Sequence, residues 1–229
     1  MNDFWENQPL KKHSFIHSVS NLSINKTFSK EKSNNEMQKI QDLLFSDNRI
    51  YSSCIEIGAG SCQWTYILSK ISKKVLATDT SKGMLDIGKE HMINKNPKNK
   101  IDFFYGDICD KKNPPNSPYD LVFISGLILY LSKDQFNKLT KFISNHTKSS
   151  TNLVLREPVG IKKEFVLDNV YSEELKTNYS AIYRTEKNII DAFKLNNFFV
   201  KTNEWLHPEN SKFNKWKETR LKLISLRRK

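Results

Sequence analysis

Residues 54–65 read Cys54-Ile-Glu-Ile-Gly-Ala-Gly-Ser-Cys-Gln-Trp-Thr65. A short apolar run carrying Glu56 turns through Gly58 and Gly60 into a segment that reads as a helix, Gln63 to Ile71. Glycines permit the tight turn and let a ligand approach the backbone. Twenty-three residues after Glu56, a second apolar run ends in Asp79. Doubly wound α/β folds place a ribose-binding carboxylate close to this spacing. A dinucleotide fingerprint would need glycine at position 63, where the chain has Gln63, so no pyrophosphate cradle is expected.

Outward from this stretch, short apolar runs alternate with longer mixed segments, the rhythm of βα units that build a parallel sheet between helices. The expected strands are Ser53 to Ile57, Lys74 to Asp79, Ile101 to Tyr105, Tyr119 to Ile124 and Thr151 to Arg156. Met84 to Ile93 reads as a helix. So does Lys133 to His146, with Phe136, Leu139 and Ile143 at helical spacing and a capping box from Ser132 to Gln135. A further helix, Glu186 to Leu195, precedes two last strands, Phe198 to Leu206 and Glu218 to Leu226, which can pair antiparallel. Residues 1–50 form an expected N-terminal arm or lid: a polar stretch, Ser18 to Asn35, then an amphipathic helix, Met37 to Phe45. The main domain is expected over 51–229, interrupted by an insertion at 157–184. Insertions at the carboxyl ends of strands are where open α/β sheets build substrate sites.

The 229 residues are 38% hydrophobic and 11% aromatic, which excludes a disordered or low-complexity chain. No run approaches the roughly 18 apolar residues of a membrane span, and MNDFWENQPLKKH lacks a signal peptide's apolar stretch, so a cytoplasmic protein is expected. Cys54, Cys62 and Cys109 have no CxxC spacing, and His13 with His17 lacks a third ligand, so neither a disulfide framework nor a metal site is predicted. The formal charge of +12 is spread along the chain and is dominated by Lys. Nucleic-acid recognition favours clustered Arg, so this charge reads as a solvated surface rather than a nucleic-acid footprint.

With these residues in view, the chain resembles the class I S-adenosylmethionine (SAM)-dependent methyltransferases. Glu56, Gly58 and Gly60 match the family's E/D-x-G-x-G-x-G, with Cys62 in place of the third glycine. Asp79 stands where the family's second-strand acid binds both ribose hydroxyls, and Thr80-Ser81-Lys82-Gly83-Met84-Leu85 is similar to D-x-S-x-x-M/L counted from Asp79. Gly106-Asp107-Ile108 resembles the motif whose acid holds the adenine amino group. Tyr119 to Gly126 resembles the fourth motif, with Ser125 under the methionine end of the cofactor. The resemblance implies a Rossmann-like, doubly wound, mainly parallel sheet with an antiparallel last strand. It also implies SAM as cofactor, S-adenosylhomocysteine as product, and Ala59, Trp64, Thr80 and Met84 as further cofactor contacts.

Methyl transfer is displacement at a carbon, so most catalysis can come from holding the acceptor in line with the sulfonium. The segment after the fifth strand looks like that of small-molecule and sugar methyltransferases of bacterial glycan and natural-product pathways. It carries Arg156, Glu157, Tyr179, Tyr183 and Arg184. Arg184 offers a bidentate fork for phosphate or carboxylate, or pairs with a structural acid; the tyrosines line a pocket or pack as core. Glu157 reads as a base or substrate ligand, or as a salt-bridge partner of Arg156, with His17, as a base on a closing lid, and Tyr130 as the other candidate catalytic residues. The expected function is methylation, at oxygen rather than nitrogen, of a small anionic or sugar-containing metabolite such as a nucleotide- or phospho-sugar. An RNA or protein methyltransferase and a non-catalytic SAM-binding subunit are the alternatives.

Overall fold

The computed structural model describes residues 26–172, 177–214 and 216–229. The chain divides into two compact units, Met1–Leu121 and Val122–Lys229.

The first unit is built from α1 (Lys26–Phe45), β1 (Cys54–Ile57), α2 (Thr65–Ile71), β2 (Lys74–Asp79), α3 (Lys82–Lys95) and β3 (Lys100–Tyr105). Its strands run β3-β2-β1 and then meet the start of β4 (Tyr119–Ser125), whose Asp120 and Leu121 amides both donate to the Ser53 carbonyl. β1 pairs parallel with β2, Glu56 opposite Ala77, and β2 pairs parallel with β3, Asp79 opposite Tyr105. All four residues of β1 are buried, as an apolar strand covered on both faces requires. Ala59, Cys62, Ala77, Leu85 and Met92 form one core cluster beneath the glycine turn.

α1 begins in the polar stretch ahead of Met37, earlier than the apolar pattern alone marks. Its inward stripe there is Ser33 and Glu36, both buried, before Ile40 and Leu44 take over.

The second unit holds the end of β4, α4 (Lys133–Asn145), β5 (Thr147–Gly160), β6 (Phe165–Ser172), β7 (Thr177–Tyr183), α5 (Glu186–Lys194), β8 (Phe198–Trp205) and β9 (Thr219–Arg228). Its main sheet runs β4-β5-β9-β8, and β9 is antiparallel to both β5 and β8. β5 extends four residues past the expected end at Arg156, because β9 accompanies it from Asn152 opposite Arg227 to Gly160 opposite Thr219. The expected insertion contains an antiparallel hairpin, β6 on β7, with a bulge between Leu167 and Val170. α4 has the expected capping box in both directions. It buries Phe136, Leu139, Phe142 and Ile143, each worth about 1.5–3 kcal/mol against exposure. Phe136 meets Phe193 edge-on at 6.0 Å, and Phe193 meets Phe198 in the same way.

The architecture is therefore mixed α/β with a mainly parallel sheet and an antiparallel last strand. No described helix is long and apolar enough to cross a membrane.

Candidate cofactor and acceptor sites

In the first unit the turn after β1 takes left-handed dihedrals at Gly58 (φ 75°) and Gly60 (φ 52°), where glycine is unstrained. The amides of Gly58 and Ala59 both donate to the Thr78 carbonyl at 2.9 Å, pinning the turn to the end of β2. Asp79 completes the tie. Its Oδ2 accepts from the Gly60 amide and its Oδ1 from the Ser81 amide, each at 2.8 Å. The side chain is half-buried rather than sealed.

Glu56 lies beneath this turn, 2% exposed, and accepts a 2.5 Å hydrogen bond from the Thr65 hydroxyl. Burial pushes its carboxyl up to about 8, opposed by the Thr65 bond and aided by the Asp79 charge. Cys62, at the third motif position, sits in the left-handed region at φ 63°, and burial drives its thiol above the ordinary range.

At the end of β3 the Gly106 amide donates to the Asp79 carbonyl at 2.9 Å, with Gly106 at φ 125°. Asp107 is exposed and accepts from the Cys109 amide at 2.9 Å, capping the 3-10 turn Ile108–Asp110. Thr80 is exposed, whereas Trp64, Met84 and Ile108 are buried. The structure thus brings Glu56, Gly58, Ala59, Gly60, Asp79 and Gly106 into one connected group. Sequence reasoning missed Thr65 as the partner of Glu56, although a threonine opening α2 nine residues after the acid was a readable signal. The donor set fits SAM. Its carboxylates suit a ribose diol, an ammonium and a sulfonium, none of which a phosphate-binding loop would favour.

In the second unit the chain after β4 makes a 3-10 turn, Ile128–Tyr130. Glu157, on β5 and 0% exposed, receives the Leu127 amide at 2.9 Å and the Ile128 amide at 3.3 Å on Oε1, while its buried Oε2 has no hydrogen-bond partner. Burial raises this carboxyl to about 7 against the lowering pull of the backbone amides and of Arg156. Arg156 itself donates to the Ser125 hydroxyl at 3.2 Å. Glu157 is thus set beneath the turn with its Oε1 held by backbone amides, and the charge of Arg156 acts on it as the sequence offered.

Arg184 is buried and spends its fork on backbone carbonyls, donating from Nη1 to Ile128 at 2.7 Å and from Nη2 to Leu131 at 2.6 Å. Its guanidinium carbon lies 5.0 Å from the centre of the Phe136 ring. Neither expected partner, an acceptor anion or a structural acid, is what these two donors meet. Tyr183 packs in a cluster with Leu129, Leu167 and Ala181, against which Tyr130, Phe165, Tyr179 and Trp216 are laid. Burial raises the Tyr130 hydroxyl above its usual range, and the neighbouring Tyr179 and Glu157 add to this. Phe165 and Trp216 were not singled out in the sequence, though Phe165 and Leu167 alternate inward as a strand pattern would show.

His17 lies outside the described residues. Among the described residues no group of three or more His, Cys, Asp and Glu side chains could hold a metal ion.

Residues 54–150 match the family model of a methyltransferase domain. Phosphoethanolamine N-methyltransferase of Plasmodium falciparum is 25% identical to the chain, over 90% of this chain and 86% of that protein. Phosphoethanolamine N-methyltransferase 3 of Arabidopsis thaliana is 31% identical over 46% of this chain, so the chain aligns with only 21% of the plant protein's length. Among solved structures, magnesium protoporphyrin IX methyltransferase from Synechocystis with bound SAM superposes with a TM-score of 0.69, covering 100% of this chain and 95% of that one at 12% identity. Residues 54–150 thus match a methyltransferase domain, and the chain shares the fold of SAM-dependent methyltransferases, which supports SAM as the cofactor. Within that class, the relatives reported above carry the name of enzymes that methylate nitrogen.

Proposed function

We propose that the protein transfers the methyl group of SAM to the amino nitrogen of a small phosphorylated amino alcohol of the phosphoethanolamine type. The observation that carries this reading is the extent of the Plasmodium relative's match, which takes in 90% of the chain and so reaches well beyond the cofactor motifs. It replaces the preference for oxygen acceptors drawn from the sequence, and neither relative supports a glycan pathway.

SAM, when bound, supplies an electrophilic methyl carbon on a sulfonium. In this reading Asp79 accepts the ribose hydroxyls, Asp107 the adenine amino group, and the turn of Gly58, Ala59 and Gly60 admits the cofactor against bare backbone. Glu56 braces the turn from below through Thr65, with Trp64, Met84 and Ile108 as apolar walls and Thr80 at the rim. On the acceptor side Tyr179 and Tyr183 offer ring faces to an alkyl ammonium and hydroxyls to phosphate oxygens. Tyr130 is the member of the expected catalytic set that lies against this aromatic cluster. Arg156 and Arg184 act through Ser125 and the 3-10 turn.

The test is release of S-adenosylhomocysteine by the purified protein with phosphoethanolamine, ethanolamine and a panel of sugar phosphates. Turnover that requires both the amine and the phosphate is the expected result. Turnover with a sugar phosphate and none with phosphoethanolamine would overturn the assignment.

A further inference from the structure

The 3-10 turn Ile128–Tyr130 is gripped from both ends by opposite charges. At its start the Leu127 and Ile128 amides point to the Glu157 carboxyl; at its end the Ile128 and Leu131 carbonyls receive the two terminal nitrogens of Arg184. The Ile128 carbonyl also accepts the Leu131 amide within the turn at 3.2 Å, but a turn this short satisfies few of its end groups, and its dipole favours an acid at the start and a base at the end. Neither charged group is given to solvent. The two arms are also joined to each other. The Gly160 amide, three residues past Glu157, donates to the Arg184 carbonyl at 3.0 Å, and Gly160 bridges to Thr185.

We infer that Glu157 and Arg184 form a charge clamp whose task is to fix the Ile128–Tyr130 turn, and with it Tyr130, against the aromatic cluster of the β6–β7 hairpin. The inference rests on the methyltransferase reading only for what Tyr130 then does. The grip itself stands on the bonds just given. A side chain held this way keeps its orientation when an acceptor arrives, and an in-line displacement is sensitive to misplacement of about 1 Å. Glu157 and Arg184 are positioning residues in this scheme, acting through backbone rather than by touching the acceptor.

The groups facing Glu157 are Arg156 on its own strand, Tyr130 on the turn, Arg184 beyond β7, and Lys222 opposite it on β9, the last paired with Glu186 at 2.8 Å. Three of these are cationic, so the ionised carboxylate is the form they support. Its amide bonds should tighten as it ionises near neutrality, since a charged acceptor makes the stronger hydrogen bond.

Two readouts separate the clamp from the function it serves. Amide hydrogen exchange at Leu127 and Ile128 in the unaltered protein, corrected for intrinsic rates, should slow as pH rises from 6 to 8. That dependence should vanish in Glu157→Gln, which keeps an oxygen for the amides but has no charge to gain. In turnover, Arg184→Lys can satisfy one carbonyl and not both. It should lower kcat at least tenfold while SAM affinity stays within twofold. Tyr130→Phe should also lower kcat, and Tyr130→Phe/Arg184→Lys should lose no more than the worse single variant, because both changes disable one positioned residue. Exchange that ignores both pH and substitution, or losses that multiply in the double variant, would overturn the clamp. A protein that turns over no amine acceptor yet shows the exchange behaviour would sink the proposed function and leave the clamp standing.

Discussion

A Cβ atom placed on Gly88 would lie 2.3 Å from Cys62 Sγ and 2.8 Å from Cys62 Cβ. α3 therefore tolerates a side chain at the third motif position only because it presents bare backbone there. Cys62 also occupies a left-handed conformation, φ 63°, which costs a non-glycine residue roughly 1–2 kcal/mol. Gly88→Ala would gain about 1 kcal/mol in helix propensity and lose more to the overlap, a net destabilisation of about 1–3 kcal/mol. In a Cys62→Gly background the overlap with the cysteine is gone and only a 3.2 Å approach to the Ser61 carbonyl carbon remains, so the same substitution should cost clearly less. Urea unfolding of the four proteins measures the coupling, and additive effects would contradict it.

Asp79 ties the glycine turn to the start of α3 and is the proposed ribose ligand. Asp79→Ala should weaken SAM at least tenfold, since losing hydrogen bonds to a charged group costs about 1.5–3 kcal/mol. Calorimetric titration of the folded variant is the check. Unchanged affinity would move the ribose elsewhere.

Glu56 has a definite pH signature. Its carboxyl titrates near 8 in the folded protein, against 4.5 as the ordinary value. The folded state thus binds this proton more tightly than the unfolded chain does. The associated stability is fully present below pH 4.5 and is lost as pH rises through about 8, a swing of a few kcal/mol. Stability of the protein minus that of Glu56→Gln should therefore fall between pH 5 and 8.5, and a flat difference would refute the burial argument.

Ser132 starts α4 directly after the clamped turn. Its hydroxyl accepts the Gln135 amide at 3.2 Å while its own amide donates to Gln135 Oε1 at 2.9 Å. Ser132→Ala should cost about 1 kcal/mol, read as a lower unfolding midpoint with an unchanged denaturant slope.

Much of this was legible from residues alone. The Glu56–Gly58–Gly60 turn, Asp79 at a strand end, the position of the first five strands along the chain, the Ser132 box and the antiparallel pairing of β8 with β9 all follow from local pattern. α1 was harder to delimit, because its first half buries Ser33 and Glu36, residues that carry no apolar period. The β6–β7 hairpin was hidden by its bulge. Asp168 and Asn169 shift the register, and Asp168 through Tyr171 are all exposed, so the alternation set by Phe165 and Leu167 is lost. Glu157 and Arg184 were visible as residue types, but their partners are amides and carbonyls, which look alike in every sequence.

The bond between the Gly160 amide and the Arg184 carbonyl closes the chain on itself, so residues 161–183 leave and re-enter the sheet at one point. Gly160 leaves no slack there, since a Cβ would stand 2.2 Å from the Lys163 carbonyl oxygen and 2.9 Å from that of Tyr183. A segment whose two ends meet at one neck can be exchanged for another of different length at little entropic cost, because loop closure depends only weakly on length, provided the replacement keeps the apolar contact with Leu129. The hairpin is in that sense a cassette. On the proposed acceptor role, a graft from Gly160 to Arg184 that preserves the neck is expected to change the acceptor preference while SAM affinity stays the same.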